Sequence, residues 1–321
     1  MATVFRGIEG SGKKSPLEVP TELGPKEILM KITHASLCGT DVHFMATGAA
    51  LGHEGVGIVE KVGSQVTEFK IGDRAGAGYI RNASLLIIGA LSVVLMERKT
   101  SVLALLGTTH LDLGHETFLH KIPDNLASDI AAPLQCAGAT VYSAIVSTAK
   151  PGDRVGILGI GGLGHLAIQF SAKLGFETVV FSTSAKKEAE ARSFGANEFV
   201  LLTEPEKSTQ PIDVLIVAGN KYPDWAKFMK KEILARTATI VPLAAPMANF
   251  DLPSFPIFFN GYNIKPTLVA SRQVHDDMLA FAASHDVKPT IETFEFTEEG
   301  FKEAYDKLMS GGMRYRGVLV K

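Results

Sequence analysis

The chain has 321 residues, 46% hydrophobic and 21% charged, an ordinary globular composition with room for two domains. A formal net charge of −2 and a pI near 6.5 speak against nucleic acid or an anionic membrane as partners and favour small molecules. Only two cysteines, Cys38 and Cys136, rule out a disulfide framework, and with no signal-like N-terminus and no apolar run of about 20 residues a cytoplasmic protein is expected.

In residues 1–37 short apolar runs alternate with turns at Pro16, Pro20 and Gly24-Pro25, and EILMKIT, from Glu27 to Thr33, has strand patterning. Glycines punctuate Cys38 to Gly63 and FKIGDR, Phe69 to Arg74, as they do in all-β structure. Between Tyr79 and Leu119 lies a 14-residue uncharged run, Ala83 to Met96. It is too short to span a bilayer and reads as a core helix. His110, His115 and His120 have no compact metal-binding spacing. Taken singly, a Cys is more often a small buried hydrophobe and a His a satisfied polar group.

After Cys136, Ala139 to Ala149 reads as a helix, and Pro151-Gly152 opens a buried strand at Val155 to Leu158. The strand runs into a glycine turn, Gly159-Ile160-Gly161-Gly162-Leu163-Gly164. A helix follows, with Leu166, Ala167, Phe170 and Leu174 at helical spacing and Gly175 as its stop. Strand, glycine turn, helix and second strand (Thr178 to Phe181) form a dinucleotide-binding unit, in which the first glycine permits the turn, the second lets the pyrophosphate approach and the last lets the helix pack closely. Where an NAD site carries an acid for the ribose hydroxyl, this chain has Ser182, Thr183, Ser184 and Lys187. Hydroxyls and a lysine suit a 2′-phosphate, so NADP(H) is the expected cofactor; Lys186 reads as a solvated charge. Further helices are expected at Glu188–Phe194 and Asp224–Leu234, and strands at Asn197–Leu201, Asp213–Val217 and Thr237–Leu243. This alternation predicts a doubly wound parallel sheet. A Pro-rich loop (Pro242 to Pro256), a strand (Lys265 to Ala270) and helices at Val274–Ser284 and Glu298–Met309 complete the reading.

CGTDVH, then GHEGVG with GDR behind it, then Cys136 within PLQCAGAT, the GIGGLGH turn and MRYRGVLVK resemble, in combination and order, the zinc-containing medium-chain alcohol dehydrogenases. The likeness is greatest to their cinnamyl-alcohol-dehydrogenase-like, NADP-linked branch, over residues 1–80 and 118–321. The resemblance implies a Rossmann domain at 138–271 and a mostly β, GroES-like catalytic domain built from 1–137 and 272–321. It also implies that Cys38, His53 and Cys136 hold a catalytic Zn²⁺, with Glu54 beside it and sometimes a fourth ligand. That soft sulfur and nitrogen set leaves a position open for substrate. Asp41 matches a carboxylate that orients the histidine, Thr40 and His43 match a proton relay, and Thr140 and Ser271 match cofactor contacts. The implied reaction is NADP(H)-linked interconversion of a primary alcohol and an aldehyde, by a homodimer. A zinc-independent quinone or enoyl reductase, or an impaired paralogue that binds NADPH, are the alternatives. All three metal-type residues being present speaks against the first.

The resembled family also carries a lobe of four close cysteines around a structural zinc, and residues 80–118 have none of them. One catalytic zinc and no structural zinc are therefore expected, with the lobe held by apolar residues such as Leu85, Ile87, Leu91 and Leu95. A genuine zinc-free lobe and an out-of-frame stretch both account for the difference.

Overall fold

Apolar residues dominate EILMKITHASL so heavily that the strand Glu27–Leu37 is buried along most of its length and becomes the hub of a seven-stranded sheet. The computed structural model describes residues 2–8, 11–17, 22–44, 51–79, 112–244 and 249–321, and the chain divides into two compact units. The run Ala83–Met96, with Leu85, Ile87, Leu91 and Leu95, and His110 lie outside the described residues.

The first unit comprises Met1–Cys136 and Thr290–Lys321. Its sheet runs Ile291–Glu295, Arg316–Val320, Glu27–Leu37, Gly55–Val62, Arg74–Ala77 and Leu119–Lys121, with Asp112–His115 also pairing onto Glu27–Leu37. Sequence-distant segments thus meet on one strand: Gly317 pairs with Leu37 and Gly55 with Ala35. Ile28, Met30, Ile32, Leu51 and Val59 share a core with Phe294, Phe301 and Leu319. The strand runs four residues beyond the expected Thr33, directly up to Cys38.

The second unit, Ala137–Pro289, holds a six-stranded parallel sheet ordered Glu198–Leu201, Glu177–Ser182, Arg154–Leu158, Ile212–Val217, Leu234–Pro242 and Asn263–Ile264. Numbered along the chain this is 3-2-1-4-5-6, whose direction reverses beside Arg154–Leu158, where such sheets bind ligands. Buried Arg154 staples the opposite end of that strand: its Nε meets Glu177 at 2.8 Å, and Nη2 meets Glu198 and, at 2.9 Å, Thr209.

Several elements differ from expectation. In place of a helix over Asp224–Leu234 there is a single turn, Trp225–Phe228, capped by Asp224; Met229 leaves helical geometry at ψ 58°, and Leu234 is claimed by the sheet through Ile212. No strand forms over the expected Lys265–Ala270, because Pro266 has no amide for a ladder and Val269 adopts φ +47°; the sheet's last strand is instead Asn263–Ile264. A short helix, Ser254–Asn260, ended by Gly261 at φ +65°, occupies part of the expected loop. The helix expected at Ala139–Ala149 ends at Val146. The second unit extends to Pro289 where the sequence placed its end at residue 271. The helix Arg272–His285 belongs to it because Phe281 packs on Tyr142 and Phe170, with ring centroids 5.6 and 6.1 Å away, and Gln169 binds the Lys288 backbone.

The helix Gly164–Lys173 sits so close to the sheet that a Cβ on Gly164 would lie 1.9 Å from the Gly159 carbonyl oxygen. Gly164→Ala is therefore expected to destabilise the protein by about 1–3 kcal/mol, seen as a lower urea midpoint at constant m-value. An unchanged midpoint would mean that this contact has slack.

Candidate functional site

In the first unit, one carboxylate ties two chain segments together. The strand Glu27–Leu37 delivers Cys38, and the short helix Gly39–Phe44 carries Asp41, which is buried. Asp41 Oδ2 accepts the Cys38 amide at 2.8 Å, Oδ1 accepts the Gly52 amide at 2.8 Å, and Oδ1 faces His53 Nδ1 at 3.4 Å. Gly52 makes that turn at φ +94°. With Nδ1 fixed on Asp41, His53 Nε2 is left buried with no hydrogen-bond partner. Cys136 arrives on the π-helical turn Leu134–Gly138, a rare geometry that favours functional positions. Donor atoms of Cys38, His53, Glu54 and Cys136 all lie within 4.8 Å of one another, the one such group found among the described residues.

Glu54 is fully buried; its Oε2 is bonded to Arg316 Nη2, and Oε1 has no partner. Arg316 also donates to Ser36 Oγ at 3.0 Å, and Tyr79 stands edge-on to His53 with ring centroids 5.5 Å apart. Arg316, Ser36 and Tyr79 were not singled out from sequence. The available signal was an arginine opening the otherwise apolar strand RGVLV, where a charge must find a partner.

The electrostatics of the cluster are those of a cation site. A hydrogen bond from the Cys136 thiol holds Cys38 well below its ordinary range despite burial, while the same bond and burial push Cys136 well up. Burial would lower His53, but the Asp41 carboxylate and Cys38 reverse this and raise it well above its ordinary value. Burial lifts Glu54 to about 7 against the pull of Arg316. Two cysteine sulfurs, a buried imidazole nitrogen without a hydrogen-bond partner and a carboxylate oxygen form a set that a divalent metal completes by displacing protons, and the mixed sulfur and nitrogen donors fit Zn²⁺. Thr40 lies 3.7 Å from Cys38 Sγ, and His43 is exposed on the last turn of the same helix.

In the second unit the glycine turn follows Arg154–Leu158 at the point where strand order reverses. Gly159 adopts φ +96°, and a Cβ there would meet Gly219 at 2.8 Å. At Gly161 an added Cβ would meet nothing within 4 Å. That open side fits a dinucleotide pyrophosphate, faced by the start of the helix Gly164–Lys173. Gly162 and half-buried Leu163 complete the turn, and buried Ile160 accepts Lys187 Nζ on its carbonyl at 2.7 Å. Ser182 is buried and accepts the Ser184 amide at 3.2 Å, Ser184 accepts the Lys186 amide, and Thr183 is exposed. Thr140 is buried on the helix Ala139–Val146, and exposed Ser271 is the N-cap of Arg272–His285.

A family model described as alcohol dehydrogenase GroES-like domain matches residues 24–88. An alcohol dehydrogenase from Geobacillus stearothermophilus is 32% identical, covering 95% of this chain and 96% of its own length. NADP-dependent alcohol dehydrogenase C 1 from Mycolicibacterium smegmatis is 28% identical, covering 92% and 91%. Among solved structures, a cinnamyl alcohol dehydrogenase from Sorghum bicolor superposes with a TM-score of 0.85 at 26% identity, over 100% of this chain and 98% of that one. With that fold, that donor set and a relative of this identity along nearly its whole length, the chain belongs to the zinc-containing medium-chain alcohol dehydrogenase family.

Proposed function

We propose that this protein is an NADP(H)-dependent alcohol dehydrogenase that interconverts a primary alcohol and its aldehyde, with one catalytic zinc on Cys38, His53 and Cys136 and with Glu54 beside it. The observation that carries the reading is the convergence of four donors within 4.8 Å around a buried, unpartnered His53 Nε2. When bound, Zn²⁺ polarises the substrate oxygen and NADP(H) carries the hydride. Asp41 fixes the imidazole so that Nε2 is the donor and holds the Cys38 and His53 arms in register. Thr40, beside Cys38, relays the proton of the alcohol, its hydroxyl accepting one proton as it releases its own, and exposed His43 hands the proton to solvent.

For the cofactor, Gly161 admits the pyrophosphate, and Ser182, Thr183, Ser184 and Lys187 receive the 2′-phosphate. Thr140 and Ser271 contact the cofactor as well. Exposed Phe255, Phe258 and Phe259 on one short helix support self-association, which we read as a homodimer. Two free cysteines suit a reducing, cytoplasmic setting, and no described helix is long and apolar enough to cross a membrane.

NADPH oxidation measured across aromatic and aliphatic aldehydes, alongside zinc analysis, tests the reading; protein that holds zinc and NADPH but reduces no aldehyde would overturn it. Elemental analysis should give about one zinc per chain. Cys136→Ser should lose that zinc and at least about 100-fold in turnover while its NADPH affinity is kept. Full activity in the metal-free variant would refute the zinc mechanism.

Gly161→Ala should leave the urea midpoint unchanged yet weaken NADPH binding about tenfold, a loss of ~1.4 kcal/mol. Fluorescence titration showing wild-type affinity would remove the pyrophosphate from this turn. In Ser182→Asp one carboxylate oxygen can still accept the Ser184 amide and the other can bind a ribose hydroxyl, so cofactor preference should swing toward NADH. Wild type already preferring NADH in kcat/KM would contradict the assignment of Ser182 to Lys187.

A further inference from the structure

The histidine that closes the motif GIGGLGH has no task in that scheme. His165 stands at the second position of the helix Gly164–Lys173 and is fully buried, its ring edge-on to Phe194 with centroids 5.8 Å apart. Its Nδ1 lies 3.0 Å from the carbonyl oxygen of Gly161, the same oxygen that accepts the His165 backbone amide at 3.1 Å. A carbonyl only accepts, so Nδ1 carries the proton in this bond. Both lone pairs of one carbonyl are thus engaged at a glycine, whose backbone has the widest conformational freedom and at which an added Cβ would meet nothing within 4 Å. The Gly161 carbonyl and the Gly162 amide belong to one trans peptide plane and point in opposite directions. With the carbonyl drawn into the helix, the Gly162 N–H is aimed out of the helix's amino-terminal end, where a pyrophosphate is bound best.

We propose that His165 is a positioning residue for the cofactor: its ring locks the Gly161–Gly162 peptide so that the turn's amides face the pyrophosphate before the dinucleotide arrives. This rests on the NADP(H) site proposed above. Four glycines between residues 159 and 164 would otherwise leave the turn to be ordered at the expense of binding free energy, and preorganisation removes that cost. The preceding carbonyl, of Ile160, is held in the same way by Lys187 Nζ at 2.7 Å, so two successive carbonyls of the turn are tied by side chains from beyond it.

The test uses full-length protein and two ligands, followed by fluorescence and calorimetric titration: NADPH, and adenosine 2′-monophosphate, which carries the 2′-phosphate but no pyrophosphate. Wild type should bind both. His165→Leu, which keeps an apolar side chain in place and removes the donor, should bind NADPH about tenfold more weakly, with the KM for NADPH raised in parallel and affinity for adenosine 2′-monophosphate unchanged. His165→Asn, whose amide nitrogen can take the place of Nδ1, should keep NADPH affinity within about twofold of wild type. His165→Gln, whose amide nitrogen stands one bond farther out, should share the defect of His165→Leu, and comparison of the asparagine and glutamine variants decides the matter if the leucine variant fails to fold. Wild-type NADPH affinity in His165→Leu, equal NADPH affinity in the asparagine and glutamine variants, or an equal loss for both ligands would each overturn the proposal; the last would reduce His165 to a residue that only packs. Wild type that binds neither ligand would overturn the cofactor site itself, and this inference with it.

Discussion

The Asp41 carboxylate is the constraint on which the first unit's chemistry depends. It accepts one amide from the end of a strand and another from a left-handed turn, and it faces the imidazole next to that turn, so two otherwise independent segments have one relative position. Backbone amides and an imidazole around a buried carboxylate are charge-assisted bonds, stronger and more directional than neutral ones. The proposed metal therefore meets a set already in place on the Cys38 and His53 side, and Cys136 completes it from a π-helical turn.

Each unit solves a different problem with the same economy. The antiparallel sheet places donors by register: the strand that ends at Cys38 pairs on one side with the strand that follows Glu54 and on the other with the strand that Arg316 opens. The parallel sheet places a turn by topology, since the reversal of strand order beside Arg154–Leu158 leaves a crevice at their carboxyl ends. In the first case the chemistry lies in side chains. In the second it lies in their absence at Gly161, and in a packing distance at Gly164 that admits no methyl group.

Much of this was legible in the sequence wherever local pattern and tertiary demand agree. The helix Glu298–Met309 has its expected bounds because Thr297 caps it on the Gly300 amide and its apolar residues recur at helical spacing. The glycine turn was legible because the positive φ at Gly159 and the close packing at Gly164 admit no other residue without strain. Legibility failed where long-range packing decides: Asp224–Leu234 has helical composition, yet the sheet claims Leu234, and Lys265–Ala270 has strand composition, yet carries Pro266 and a left-handed Val269. At the site, Cys38, His53, Glu54 and Cys136 were grouped through a resemblance, since no periodicity links residues so far apart. Arg316 escaped notice because the need for it arises from Glu54, and that need exists only once both are buried.

The discontinuity of the first unit has a consequence for how the molecule is made. Its strands from Glu27 to Lys121 are synthesised before Ala137–Pro289, whereas Arg316–Val320, which covers one side of the hub strand, is synthesised after it. On the ribosome the parallel-sheet unit is a continuous segment and can fold as it emerges, while the antiparallel sheet waits with an unpaired edge at His34–Leu37 and with Glu54 lacking its counter-charge. Nascent chains are thus exposed to edge pairing with one another during that interval.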